Sequence, residues 1–271
     1  MKASQGLVGL FAIAILGIGE RPTTLVVDLM QVRLDVTGAS KSGDGVRLID
    51  VIAAISGQSG RWPLEAMKAQ AVAARSFFHA GGHHGGDEFC DTTHCQFLRE
   101  PPAPGSAVAA AVAATRDLVL AYDSHPFAAM YTRSCSGRTR TPEEVGLSPS
   151  DYPYFSVECA HCRSHPVRWS SRMSAQDAAS LHPSNESARL NIDRRLGWSV
   201  VPSNNFVAKT VGDQTIVEGT GQGHGIGLCQ SGAKAMAEAG ADFRQILSHY
   251  YPNTNIVSFP AGASFRTANA Q

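Results

Sequence analysis

The stretch Gly219-Thr-Gly-Gln-Gly-His224-Gly-Ile-Gly-Leu-Cys229-Gln230-Ser-Gly232-Ala233 decides how this chain is read. Five glycines alternate with other residues between Gly219 and Gly227. Glycine admits positive φ and lets a second backbone come close, so the run predicts a loop that docks against main chain. His224 is the polar side chain at its centre. No Gly-Lys-Ser/Thr closes the run, and no GxGxxG opens a helix after a strand, which excludes a phosphate loop and a dinucleotide fold.

An amphipathic segment, Ala233 to Ala239, follows and is closed by Gly240 as C-cap. Asp242, with Gln245 three residues on, predicts a capping box. The helix it starts runs through Phe243, Ile246 and Leu247 to Pro252, which stops it. Upstream, Pro63 suits a first helical position and Glu65 a first turn, so Arg61 to Phe78 is the clearest helix. Its alanines at 66, 69, 71, 73 and 74 predict close packing, and Glu65, Lys68 and Arg75 read as surface charges. Strands are expected over Leu25–Val36, Leu118–Tyr122, Phe127–Arg133 and Pro202–Val217. Short helices are expected over Leu48–Ile55 and Ala107–Ala114, and an amphipathic helix over Trp169–Leu181.

Four motifs together resemble one family. Gly223-His224-Gly-Ile-Gly-Leu-Cys229-Gln230-Ser-Gly232-Ala233, with Ile246-Leu-Ser-His249-Tyr-Tyr-Pro252, is similar to the GHGVGMSQYGA…HYYPGT signature of the stage II sporulation protein D / LytB family. Asn253-Thr254 stands where that pattern has Gly-Thr. WPLEAMKAQAVAARSF, from Trp62, resembles the family's WPLEALKAQAVAARTY. Cys90-Asp-Thr-Thr-His94-Cys95-Gln96 resembles CDTTHCQVY, and Tyr131 to Thr139 resembles YHSTSGGRT. The resemblance runs from about Val27 to Ile256, and it marks out the family-like domain as 25–258.

The 271 residues, 43% of them hydrophobic, are enough for a substantial core. Formal charge is zero, so the chain as a whole makes no electrostatic case for nucleic acid. Leu7 to Ile18 is an apolar run too short to span a bilayer. It suits the core of a signal peptide within residues 1–22, or an N-terminal anchor, with a hydrophobic first strand as the alternative. Residues 259–271 read as a disordered tail.

The fold expected is α+β, with mixed strands and helices around a glycan-binding cleft and an inserted subdomain within residues 97–220. The resemblance implies export to the periplasm or cell wall, and work on the glycan strands of peptidoglycan. One reading is a lytic transglycosylase, which needs no cofactor and a single carboxyl as acid and base. Glu65 is the candidate. Family members carry a further Glu upstream, in a Glu-Met-Pro context, where this chain reads Ser56-Gly57-Gln58-Ser59. The alternative is a glycan-binding enhancer of an N-acetylmuramoyl-L-alanine amidase, which cleaves nothing itself. Tyr131, Ser134, Thr139, His224 and Gln230 are the implied substrate contacts. A zinc hydrolase is disfavoured by the absence of HExxH.

Six cysteines and ten histidines are unusual for this length. Cys159-x-x-Cys162 has ligand spacing, and with Cys135 and either Cys229 or His165 it could complete four ligands for a structural zinc. A second set is Cys90, Cys95 and His94 with His83 or His84. Disulfides and small buried thiols compete with both.

Overall fold

The computed structural model describes residues 58–80, 102–148 and 152–259, together with the backbone of two short strands. Those strands, β1 (Phe11–Ile15) and β2 (Thr23–Val27), pair antiparallel with Phe11 opposite Val27. The expected helix at Leu48–Ile55, the second cysteine–histidine set and the tail beyond Phe259 lie outside the described residues.

The fold is α+β. Helix α1 (Leu64–His79) is its axis, because small side chains let neighbours approach from several sides. Ala69, Ala71, Ala73 and Ala74 are fully buried. Around α1 pack α2 (Ala107–Ala114), β3 (Leu118–Tyr122), α5 (Gln230–Glu238) and α6 (Phe243–Tyr250). Arg75 corrects the sequence reading. It is wholly buried, and its guanidinium donates to the carbonyls of Val112 (2.8 Å) and Thr115 (2.8 Å). A cation there satisfies the last carbonyls of α2 and complements the negative end of that helix.

Strand β3 sits between β4 (His125–Pro126) and β10 (Asn255–Ser258), both antiparallel to it. Only Tyr131–Thr132 (β5) is strand within the expected run 127–133, since it pairs in parallel with just two residues, β9 (Leu228–Cys229). The capping box at Asp242 forms as expected, with both of its hydrogen bonds. Asn253 adopts φ 64°, a left-handed conformation that Asn tolerates and Gly takes freely. The main core lies between α1, α5, α6 and the loop carrying Tyr152 and Tyr154. There the Phe127 and Tyr152 rings stack at 4.3 Å.

A smaller core belongs to residues 168–220. Strand β6 (Arg168–Ser174) pairs with β8 (Gln214–Thr220), which pairs with β7 (Phe206–Val211). Helix α4 (Glu186–Leu196) contributes Ile192 to a cluster with Met173, Val201, Phe206 and Val217. The helix expected over Trp169–Leu181 is instead β6 followed by a 3₁₀ turn, Asp177–Ser180. Trp169 and Met173 are four apart, which satisfies a strand's period of two as well as a helical face. The seven-residue ladder with β8 decides between them.

Candidate functional site

The glycine run forms a strap lying along residues 130–140. Ser134 and Gln222 exchange backbone hydrogen bonds (3.0 and 2.9 Å), Arg140 N donates to Gly225 O (2.8 Å) and Leu228 N to Met130 O (3.1 Å). The Thr132 hydroxyl donates to Gln222 O (3.0 Å) and accepts from Gly225 N (3.1 Å). At Gly223, φ is 95° and a Cβ would stand 2.5 Å from Thr132 Oγ1; at Gly227 it would stand 1.9 Å from Met130 O. Glycine is therefore required by contact as well as by backbone angle.

The residues singled out as substrate contacts divide by exposure. His224 is half-buried on the strap, and its Nδ1 accepts from Ile226 N at 3.0 Å, which leaves Nε2 to carry the proton of the neutral ring. Tyr131 is half-buried at the β5–β9 seam. Ser134 is buried, with Oγ 3.4 Å from Cys162 Sγ. Thr139 is fully buried, and its hydroxyl donates to Phe155 O (3.3 Å) and accepts from Val157 N (2.9 Å). Gln230 is buried and donates to Gln70 Oε1 at 3.2 Å, tying α5 to α1. Both Thr139 and Gln230 thus hydrogen-bond within the protein interior.

Glu65 stands at the start of α1 with both carboxylate oxygens engaged. Oε1 accepts from Lys68 Nζ at 2.6 Å, and Oε2 accepts from Phe243 N at 2.9 Å. Phe243 is the first residue of α6, whose leading N–H groups have no partner within the helix. Glu65 therefore joins the starts of two helices.

Sequence reasoning did not assign a site role to Trp62 or Arg133. The Arg133 guanidinium lies over the Trp62 ring at 5.8 Å, within cation–π range. Arg133 is exposed, and its carbonyl accepts from Ser231 N (3.1 Å) and Ser231 Oγ (2.9 Å) at the start of α5. The signal was available, since Arg133 follows Tyr131 in the same motif.

Cys135, Cys159, Cys162 and Cys229 converge. All four are buried, they form no disulfide, and their sulfurs lie within 4.8 Å of one another. His165, the other candidate for fourth place, is exposed, 3.3 Å from the carbonyl of His161. Hydrogen bonds from the three neighbouring sulfurs, Cys135 first, hold Cys162 far below the usual thiol range, and the bond with Cys135 brings Cys159 down to about 7 against the opposing effect of Cys162. Cys135, hydrogen-bonded to those sulfurs, is raised in turn.

The comparisons bear on this geometry. The family model SpoIID, Stage II sporulation protein, matches residues 48–122. The amidase enhancer of Bacillus subtilis (strain 168) is 42% identical over 64 residues, which is 24% of this chain and 9% of that protein. Over these stretches the chain is similar to the stage II sporulation protein D / LytB family. An uncharacterized protein of Brachyspira hyodysenteriae (strain ATCC 49526 / WA1) is 30% identical over 233 residues, 73% of this chain and 62% of that one. The chain thus spans less than two thirds of either relative. Against the SpoIID/LytB signature, Cys135 and Cys229 occupy positions where the pattern has serine. No helix among the described residues is long and apolar enough to cross a membrane.

Proposed function

We propose that this SpoIID/LytB-like protein is exported, binds the glycan strands of bacterial cell wall without cleaving them, and enhances an N-acetylmuramoyl-L-alanine amidase. The observation that carries the reading is the state of Glu65. A general acid must hold a transferable proton within reach of the leaving oxygen. A proton on either Glu65 oxygen would displace the Lys68 ammonium or the Phe243 N–H. Between Asp50 and Glu65 the sequence offers no other carboxyl. The Trp62–Arg133 pair supplies an aromatic ring with a cation beside it, and His224 on the strap supplies a further polar group for binding.

The test is digestion of purified glycan strands, analysed by mass spectrometry, alongside a binding titration and an amidase assay. Binding without new chain ends, and faster amide release by added amidase, is expected. New 1,6-anhydro ends lost in Glu65→Gln would overturn this reading in favour of a lytic transglycosylase with Glu65 as its acid and base.

A further inference from the structure

The cysteine cluster is buried, and three separate stretches of sequence deliver it. Cys135 comes from the turn after β5. Cys159 and Cys162 come from the start of α3 (Ala160–Ser164), and Cys229 from the end of the strap. Backbone joints hold these pieces together. Cys159 N donates to Gly137 O at 2.8 Å, and Arg163 is so close that a Cβ on Gly137 would stand 3.3 Å from its Cα.

We propose that Cys135, Cys159, Cys162 and Cys229 form a structural tetrathiolate zinc site that locks the glycine strap onto the turn after β5. The distances favour a single ion. Zinc–sulfur bonds of about 2.3 Å set tetrahedral sulfur–sulfur edges of about 3.8 Å. Here every pair lies within 4.8 Å, and Cys162 and Cys229 are 3.5 Å apart. An iron–sulfur cluster, with its inorganic core between the ligands, would spread the four sulfurs much further. All four positions are protein ligands, so no open position remains for water and the ion has no catalytic role.

The shell around the sulfurs suits thiolates. Gly232 N donates to Cys229 Sγ (3.5 Å) from the first turn of α5, where the helix favours negative charge. Tyr250 Oη lies 3.5 Å from Cys159 Sγ, and Ser134 Oγ lies 3.4 Å from Cys162 Sγ. Such outer donors orient ligands and spread the charge of a tetrathiolate. Gly232 is itself part of the fit, since a Cβ there would stand 2.6 Å from Cys159 Sγ. Zinc binding releases the remaining thiol protons to solvent, so metal uptake is pH-dependent.

The experiment uses the full chain, purified without chelator in a Cys90→Ser/Cys95→Ser background, which removes the other cysteines. One equivalent of zinc per chain is expected, and adding Cys162→Ser should remove it. Should that variant fail to fold, zinc is exchanged for cobalt(II) in the background protein. Intense tetrahedral thiolate bands, and a lower melting temperature on chelation, are then expected. Zinc retained after Cys162→Ser would overturn the proposal. So would iron as the bound metal, or two fewer free thiols in the denatured, metal-free protein, the mark of a disulfide.

Discussion

The carboxylate of Glu65 caps a helix that begins 178 residues later, by accepting the backbone N–H of Phe243 at 2.9 Å. This bond, with the Lys68 ion pair, makes Glu65 a joint between α1 and α6. Its worth is that of a hydrogen bond to a charged acceptor at a helix start. Glu65→Ala should cost about 1–2 kcal/mol in urea denaturation. Glu65→Gln keeps an acceptor oxygen for Phe243 and should cost about half as much. The opposite pattern, unchanged stability in both variants with an enzymatic activity lost in both, would mark Glu65 as an acid rather than a joint.

Arg138 holds the Glu144 carboxyl below its ordinary value of 4.5, through a hydrogen bond that outweighs partial burial. A carboxyl whose value falls on folding contributes stability above the unfolded value, and that contribution is lost as pH falls through the folded one. Arg138→Gln should therefore melt below wild type at about pH 6, and the gap should narrow below about pH 4. Both side chains are substantially exposed, so the gap is small and shrinks with added salt. A gap that persisted unchanged in acid would assign the effect to the bonds from Arg138 to Thr139 O and Ser156 Oγ.

Gly232 leaves room for two groups at once, Tyr250 Oη and Cys159 Sγ, which a Cβ would meet at 2.0 and 2.6 Å. Gly232→Ala should cost about 2–3 kcal/mol, as overpacking in a close-packed core does. Adding Tyr250→Phe should recover part of that loss by removing the hydroxyl, while the sulfur contact keeps the rest. Denaturant melts of the two single variants and the double variant measure the coupling. Simple additivity would mean that α5 shifts to admit the methyl.

The helices were legible because their signals are local. Pro63 at the start of α1, the Asp242–Gln245 box and the alternating glycines each dictate backbone within a few residues. What the sequence concealed depends on tertiary partners. Arg75 reads as a surface charge until the carbonyls of α2 are placed against it. Residues 168–174 have weak strand propensity and become β6 only against β8. Within the candidate site, the cysteine set could be proposed from spacing, but the choice of Cys229 over His165 needed the strap's path. Thr139 and Gln230 share motifs with Tyr131 and His224, and nothing local reveals that their side chains point inward.

Trp62 and Arg133 give the last prediction. The Trp62 indole packs on one side against the Met67, Ala71 and Val108 cluster, so its ring is fixed by the core. Arg133 lies over that ring at 5.8 Å and remains exposed. A fixed aromatic face suits the apolar face of a sugar ring. A guanidinium beside it suits a carboxylate, which the lactyl group of muramic acid carries in glycan strands freed of their stem peptides and a chitin oligosaccharide lacks. The two side chains should therefore fail differently. Trp62→Ala should weaken binding of stem-free peptidoglycan strands and chitin oligosaccharides alike, by about tenfold, or about 1.4 kcal/mol. Arg133→Ala should weaken binding of those stem-free strands by about fivefold, leave chitin binding unchanged, and flatten the dependence on salt. Isothermal titration of both ligands at two salt concentrations separates the roles. Equal losses for both ligands in Arg133→Ala would show that the guanidinium serves only to hold the Trp62 ring.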